Sequence, residues 1–262
     1  MAAGDVVVTN TTNRSFSGFY FDGINDYLQT GINIPILNLE SSPVSISLWA
    51  KWVTIPTGNY QAFFGNKSSS AYFQCTNGTG NFQVTFTIRQ ADLSYKNSTI
   101  FNPAKGVWYH LVGIAPGTSA GNVVLYVNGT ITGVGTAQTD TLLTNPNGFR
   151  LGCNGGATGF VNIEIANVRI YKKVLDSIEI ANLYAGIAPT SSTSKLVAEW
   201  KLNNSLIDTS IESNNLSIVN NAHAGLFDDA IATAVKAQRV ASTDKWLCAR
   251  GQNGQVIVAN IE

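Results

Sequence analysis

Apolar and polar positions alternate with a period of two over most of the stretch from Val44 to Arg169, the spacing at which successive side chains of a strand point to opposite faces. Phe82, Val84, Phe86 and Ile88 interleave with Gln83, Thr85 and Thr87, which predicts a strand with one wet face. Ile46, Leu48 and Trp49 sit among Ser45, Ser47 and Ala50 in a nearly continuous apolar strand. Residues 108–114, 123–127, 149–151 and 161–171 extend the series. Asn128 and Gly129 separate VVLYV from TITGV and predict a hairpin, because a type I′ turn needs positive φ at both central residues. Ahead of the series, FDGINDYLQ from Phe21 to Gln29 reads as a strand end, a tight acidic turn over Asp22 to Asp26, and a second strand opening at Tyr27.

The helical period surfaces clearly once. Ser177 to Tyr184 follows Asp176, which caps the first turn while Glu179 reaches back and Leu175 staples onto Ile180. Gly186 supplies a left-handed stop. Many short strands, Gly and Asn turns and little helix predict an all-β fold: a sandwich of two antiparallel sheets with one short helix after the last core strand. The organisation along the chain is an N-terminal arm over 1–15, the sandwich over 16–188, and a Pro- and Ser-rich linker over 189–195. A strand segment over 196–221 and a docking segment over 222–262 follow. In the docking segment Asp228 or Asp229 caps a short amphipathic helix reaching about Val240. KWLCARGQNGQVIVANI then predicts a hairpin turning at Asn253 and Gly254.

Composition narrows the chemistry. Of the 262 residues only 12% are charged and the formal net charge is zero, so no electrostatic footprint for nucleic acid or an anionic membrane surface is present. Cys75, Cys153 and Cys248 are too few and too scattered for a disulfide framework or a zinc site, and buried thiols are expected. Val6 to Val8 lacks the basic flank and long apolar core of an export signal, and no apolar run reaches membrane-spanning length.

Five elements in order resemble the laminin-G-like domains of the concanavalin A-like lectin/glucanase superfamily. They are FDGINDYLQ, SISLWAKW from Ser45 to Trp52, WYHLVGI from Trp108 to Ile114, VVLYVNGT from Val123 to Thr130, and the closing VRIYKKVLDSIEIANLY. The resemblance implies a jelly-roll sandwich whose concave face or loop rim binds glycans or proteins in some members and which is a rigid spacer in others. LVAEWKLNNSLIDTSIESNNLSIVNN, Leu196 to Asn221, is similar to the family's opening segment, yet here it follows the closing helix. Two readings stand: a permuted strand returning to its own sandwich, or one exchanged with a neighbour, and the start of a truncated second copy.

Catalytic candidates are sparse. Glucanases of the superfamily carry an E-x-D-x-x-E strand, since retaining hydrolysis needs two carboxyl groups about 5 to 5.5 Å apart. Glu164-Ile165-Ala166-Asn167 offers one carboxylate. His110 lies within a strand and His223 in a small-residue loop, and neither has a nucleophile beside it in sequence, so no catalytic residue is assigned. Calcium is the metal to consider: Asp22, Asn25 and Asp26 present hard oxygen ligands in one turn, although such residues also build turns by bonding their own backbone. Trp49 and Trp108 read as core, and Tyr60, Tyr72 and Tyr95 as loop aromatics on a binding rim.

The expectation is a non-enzymatic structural or adhesion module. A Met-initiated chain without an export signal and with an unmatched docking segment points to a bacteriophage virion component, a capsid decoration or tail-associated protein. Its partners would be other virion proteins and copies of itself, with glycan or host-surface binding in addition. The alternative is a secreted, extracellular carbohydrate-binding lectin-like module, and a glycoside hydrolase is the remote third.

Overall fold

The computed structural model describes residues 18–31, 43–56, 61–65, 71–78, 81–118, 121–143, 149–154, 157–187, 195–210, 212–224, 246–250 and 256–260. Gly18–Gly225 form one compact unit. One of its sheets, the helix sheet, has the order β10 (Thr130–Ala137), β9 (Asn122–Val127), β8 (Trp108–Ala115), β3 (Val44–Trp52), β12 (Asn162–Tyr171), β1 (Phe19–Asp22) and β15 (His223–Ala224), with β13 (Leu196–Trp200) also paired to β12. The other, the polar sheet, has the order β14 (Ser217–Val219), β2 (Tyr27–Gln29), β11 (Arg150–Leu151), β4 (Gln61–Gly65), β5 (Ala71–Gly78), β6 (Asn81–Arg89) and β7 (Tyr95–Asn97). The assigned pairings are antiparallel, as a sandwich of hairpins and returning strands requires.

Alternation decides what lies between the sheets. Val44, Ile46, Leu48, Ala50 and Trp52 of β3 all enter the main core, as do Phe82, Val84, Phe86 and Ile88 of β6. Each fully buried aliphatic or aromatic side chain stabilises the sandwich by roughly 1.5–3 kcal/mol. Trp52 meets Phe63 and Phe82 edge-on at 5.3 and 5.4 Å between ring centroids. Gly113 of β8 faces Phe86 so closely that a Cβ at this position would lie 2.3 Å from the ring. The Asn128-Gly129 turn has φ of 51° and 80°, the doubly positive geometry expected of it.

Helix α1 (Ser177–Ala185) begins at Asp176 with both halves of a capping box and ends at Gly186, φ 82°. It covers the outward face of the helix sheet, where Leu175, Ile180 and Leu183 pack on Val112, Ile114 and Tyr171. Trp49 is buried there too, stacked 5.7 Å from Tyr184 and 5.2 Å from His110. Trp108 lies on the same outward face, half-buried, with the Lys51 Nζ 5.3 Å from its ring centre. Neither tryptophan therefore belongs to the sandwich core; the parity of Leu48 and Leu111, paired across β3 and β8, places both on the other side.

The stretch after the linker supplies strands to both sheets. β1 pairs with β12 at residues 162–165 and β13 with the same strand at 168–171, so the two follow one another along one edge. Trp200 is fully buried and its Nε1 donates to the Asn214 carbonyl at 2.8 Å. Between β13 and β14 the buried Asp208 carboxylate accepts from the backbone N–H groups of Glu199, Ser210 and Asn214, each at 2.8 Å. β14 then joins β2, and β15 joins β1.

Described by itself, the C-terminal hairpin pairs β16 (Trp246–Arg250) with β17 (Val256–Asn260), which brackets the expected Asn253-Gly254 turn. The arm over 1–15, linker residues 189–194 and the helix expected over 228–240 lie outside the described residues.

Candidate functional site

The acidic turn is occupied by its own backbone and by the returning segment. Asp22 Oδ1 accepts from the N–H groups of Ile24 and Asn25 at 2.7 and 3.4 Å. Asp26, 1% exposed, accepts from Asp22 N at 3.4 Å through one oxygen and from Asn221 N at 2.9 Å through the other. The Asn220 side-chain amide donates to the Asn25 carbonyl at 2.6 Å. Among the described residues no group of three or more His, Cys, Asp or Glu side chains is placed to hold a metal ion.

The residues weighed for catalysis are likewise engaged. Glu164 lies on the outward face of the helix sheet, opposite Lys51 and Tyr20 in register, and its carboxylate meets Lys51 Nζ at 2.8 Å. His110 is buried on the same face, its Nε2 2.9 Å from Ser47 Oγ. His223 is exposed, bonded through Nδ1 to the Asn221 carbonyl and in edge contact with Tyr20. Cys75 and Cys153 are buried free thiols; burial raises both, Cys153 to about 12.

The outward face of the polar sheet carries a different chemistry. One register row crosses the entire sheet: Ser217 opposite Gln29, Gln29 opposite Arg150, Arg150 opposite Gly65, Gly65 opposite Tyr72, Tyr72 opposite Thr87 and Thr87 opposite Asn97. All of these point away from the core, since their strand neighbours Leu28, Leu151, Phe64, Phe73 and Phe86 point into it. The row is cross-linked by side chains. Gln74 Nε2 donates to Thr87 Oγ1 at 3.0 Å, and Thr87 Oγ1 donates to Asn97 Oδ1 at 2.9 Å. Gly65 interrupts it: φ is +100°, and a Cβ here would lie 2.5 Å from the Ala71 carbonyl oxygen, so only glycine fits at this buried position between Arg150 and Tyr72.

An arginine lies over a tyrosine ring on either side of Gly65. The Arg150 guanidinium is 5.2 Å from the centre of Tyr27, and that of Arg89 is 5.4 Å from Tyr95. Burial pushes the Tyr72 phenol well above its usual range; Tyr95 adds to this and Arg89 opposes it, which marks the three as neighbours. Two of the three tyrosines expected on a rim are thus brought together, on strands and not on loops. Tyr72 is 1% exposed within β5, and Tyr95 is exposed on the edge strand β7. Tyr60 lies outside the described residues. The wet face read from Gln83, Thr85 and Thr87 was the available signal for this surface; Arg150, Gly65 and Tyr27 reach it from distant stretches that the alternation of β6 cannot connect.

Two sheets with these orders and a helix behind one of them define a jelly-roll β-sandwich. Residues 22–181 match a laminin-G model of the Concanavalin A-like lectin/glucanases superfamily. That match spans more than half of the 262 residues, and the chain belongs to this superfamily. No curated protein matches it. Among solved structures it is similar to a candidate carbohydrate-binding protein from Bacteroides ovatus, at 15% identity and a TM-score of 0.60, over 80% of this chain and 60% of that one. It is also similar to the receptor-binding domain of botulinum neurotoxin C/D mosaic serotype, at 16% identity and a TM-score of 0.53, over 66% of this chain and 44% of that one. The ligand-binding domain of botulinum neurotoxin serotype D, in complex with N-acetylneuraminic acid, aligns at 15% identity and a TM-score of 0.52, over 78% and 46%. At such identities the likeness is one of fold, and the chain spans less than two thirds of each of these structures.

Proposed function

We propose that the protein is a non-catalytic carbohydrate- or receptor-binding module whose ligand lies on the outward face of the polar sheet. The observation that carries this is the polar row of that sheet, with an arginine–tyrosine pair on either side of its buried middle, Gly65, Tyr72 and Thr87. Sugar hydroxyls need side-chain donors and acceptors held in place. Asn97 is held by Thr87, which is buried and bonded in turn to buried Gln74, and so is pre-positioned, which lowers the ordering cost of binding. Glu164, the one carboxylate weighed as a hydrolase residue, is on the opposite sheet and is held by Lys51.

The described functions of the structural relatives favour this reading over a bacteriophage virion component, and they favour an extracellular location with it. They come from binding proteins of low identity, so the support is that of a shared fold. The proposed surface does not include the acidic turn, where Asp26 accepts from Asn221 N, so the reading does not call on a metal held there. A glycan-array screen of the protein, with and without EDTA, tests it. Specific binding that survives the chelator is expected; the absence of binding to any glycan, or turnover of a bound one, would overturn the reading.

A further inference from the structure

The outward face of the helix sheet carries an apolar surface that the sandwich itself does not use. Helix α1 turns Ile180 and Leu183 onto Val112 and Ile114. The helical period places Ile178, Ala181 and Ala185 on its opposite face, and all three are exposed, Ile178 at 71%. A helix that is apolar on two opposite faces is ordinarily covered on both. Beside it, β9 and β10 form a shelf. Val124 and Tyr126 of β9 are only partly buried against the α1 cluster, and their register partners on β10, Val134 and Ile131, are 62% and 46% exposed. Between Lys105 and Asp140 the sequence has no Asp, Glu, Lys or Arg, so the shelf is uncharged, as are the three outer positions of α1.

We infer that this surface joins two copies of the chain, the outer face of α1 in each copy lying on the β9–β10 shelf of the other. Size favours a helix as the occupant: two strands about 4.8 Å apart make a strip roughly 10 Å wide, the width of one α-helix. Chemistry favours α1 itself. Ile178, Ala181 and Ala185 laid on an uncharged shelf bury no unpaired charge, and the two small residues let the helix approach the strands closely. Each copy offers one helix and one shelf, which is the self-complementarity a two-fold dimer needs. Edge-to-edge pairing through β10 is the poorer arrangement. Its register with β9 shifts between Ile131 and Gly133 and again between Val134 and Ala137, and such bulges blunt an edge.

The nine residues of α1 make a rod about 13.5 Å long. Two helix-on-shelf contacts and the flank between the helices bury roughly 800 Å² in total, under the figure of about 1,200 Å² at which stable complexes begin. The dimer is therefore weak and reversible, with a dissociation constant on the order of 100 μM. It leaves the polar sheet of each copy on an outer side of the pair, so it neither blocks binding there nor depends on it.

Sedimentation velocity of the full chain, run from about 10 μM to about 1 mM, is expected to pass from monomer to dimer across that range. Ile178→Asp and Val134→Lys each place a charge in the contact and are expected to weaken association about tenfold or more. Mixed in equal amounts, the two variants should associate more strongly than either does alone, since one helix–shelf contact then pairs opposite charges and the other is unaltered. Both positions are exposed, so both variants are expected to keep the parent melting temperature. Where one does not, dilution of the unaltered protein followed by amide NMR replaces it, with shifts expected in α1 and in residues 122–137. A monomer at every concentration, a dimer unmoved by both substitutions together, or dilution shifts confined to other residues would overturn the inference.

Discussion

Asp26 accepts a hydrogen bond from the backbone N–H of Asn221 at 2.9 Å, across 195 residues of sequence. The acidic turn is thus the place where the returning segment is fastened, with β14 pairing on β2 at one side of the turn and β15 on β1 at the other. Replacing Asp26 by Ala removes the buried acceptor of two part-buried bonds, from Asn221 N and Asp22 N, which costs about 1 kcal/mol. A fall in melting temperature of several degrees is expected from Asp26→Ala, and a smaller one from Asp26→Asn, which keeps an acceptor oxygen. Hydrogen exchange supplies the local check: amides of residues 217–224 should lose protection more than those of β3 and β8.

Glu199 of β13 accepts from Arg169 at 2.7 Å and from the Thr209 hydroxyl at 2.5 Å. Burial pushes its carboxyl up, but the hydroxyl and the guanidinium together outweigh this and hold it below the usual carboxylate value of 4.5. A carboxyl lowered on folding contributes stability above its unfolded pKa and loses that contribution as pH falls through the folded one. Glu199→Gln should therefore be less stable than the parent at neutral pH, by on the order of 1 kcal/mol for a partly exposed pair. Urea midpoints measured through the acid range should show this gap closing below about pH 4.5.

The contact of Gly113 with Phe86 sets the thickness of the sandwich at that point. Gly113→Ala forces the ring or the strand to move and should destabilise by about 1–3 kcal/mol. Phe86→Leu should recover part of this in the double variant, a non-additivity that denaturation of the four proteins would read out.

Much of the sandwich was legible from side-chain parity. The strands at 44–52, 81–89, 108–115, 122–127 and 162–171, the hairpin at Asn128 and the capped helix all follow from local signals, because each is fixed by period or by a capping residue within reach in sequence. Strand β5 was not legible: AYFQCTNG alternates, but Tyr72, Gln74 and Thr76 carry enough polarity to read as loop. Trp49 and Trp108 were misplaced for a related reason. Alternation gives two faces without saying which is covered, and here α1 makes the second face partly apolar. The candidate site was hardest to see, since it exists only where β14, β2, β11, β4, β5, β6 and β7 fall into one register, and that is set by pairings hundreds of ångströms apart along an extended chain.

Cys75 and Cys153 are expected to resist a thiol reagent in the native protein, because the reactive species is the thiolate and burial disfavours it at both. Site-resolved mass spectrometry after brief labelling should find these two unmodified, and modified once urea has unfolded the chain.

The most direct test of the binding surface is the amide NMR spectrum of the protein titrated with sialyllactose or with whichever probe the glycan array selects. The shifts should concentrate on Tyr72, Thr87, Asn97 and Arg150, strand residues of the polar sheet brought together by one register row. Shifts confined to the acidic turn at Asp22 to Asp26, or to the helix sheet, would contradict the account.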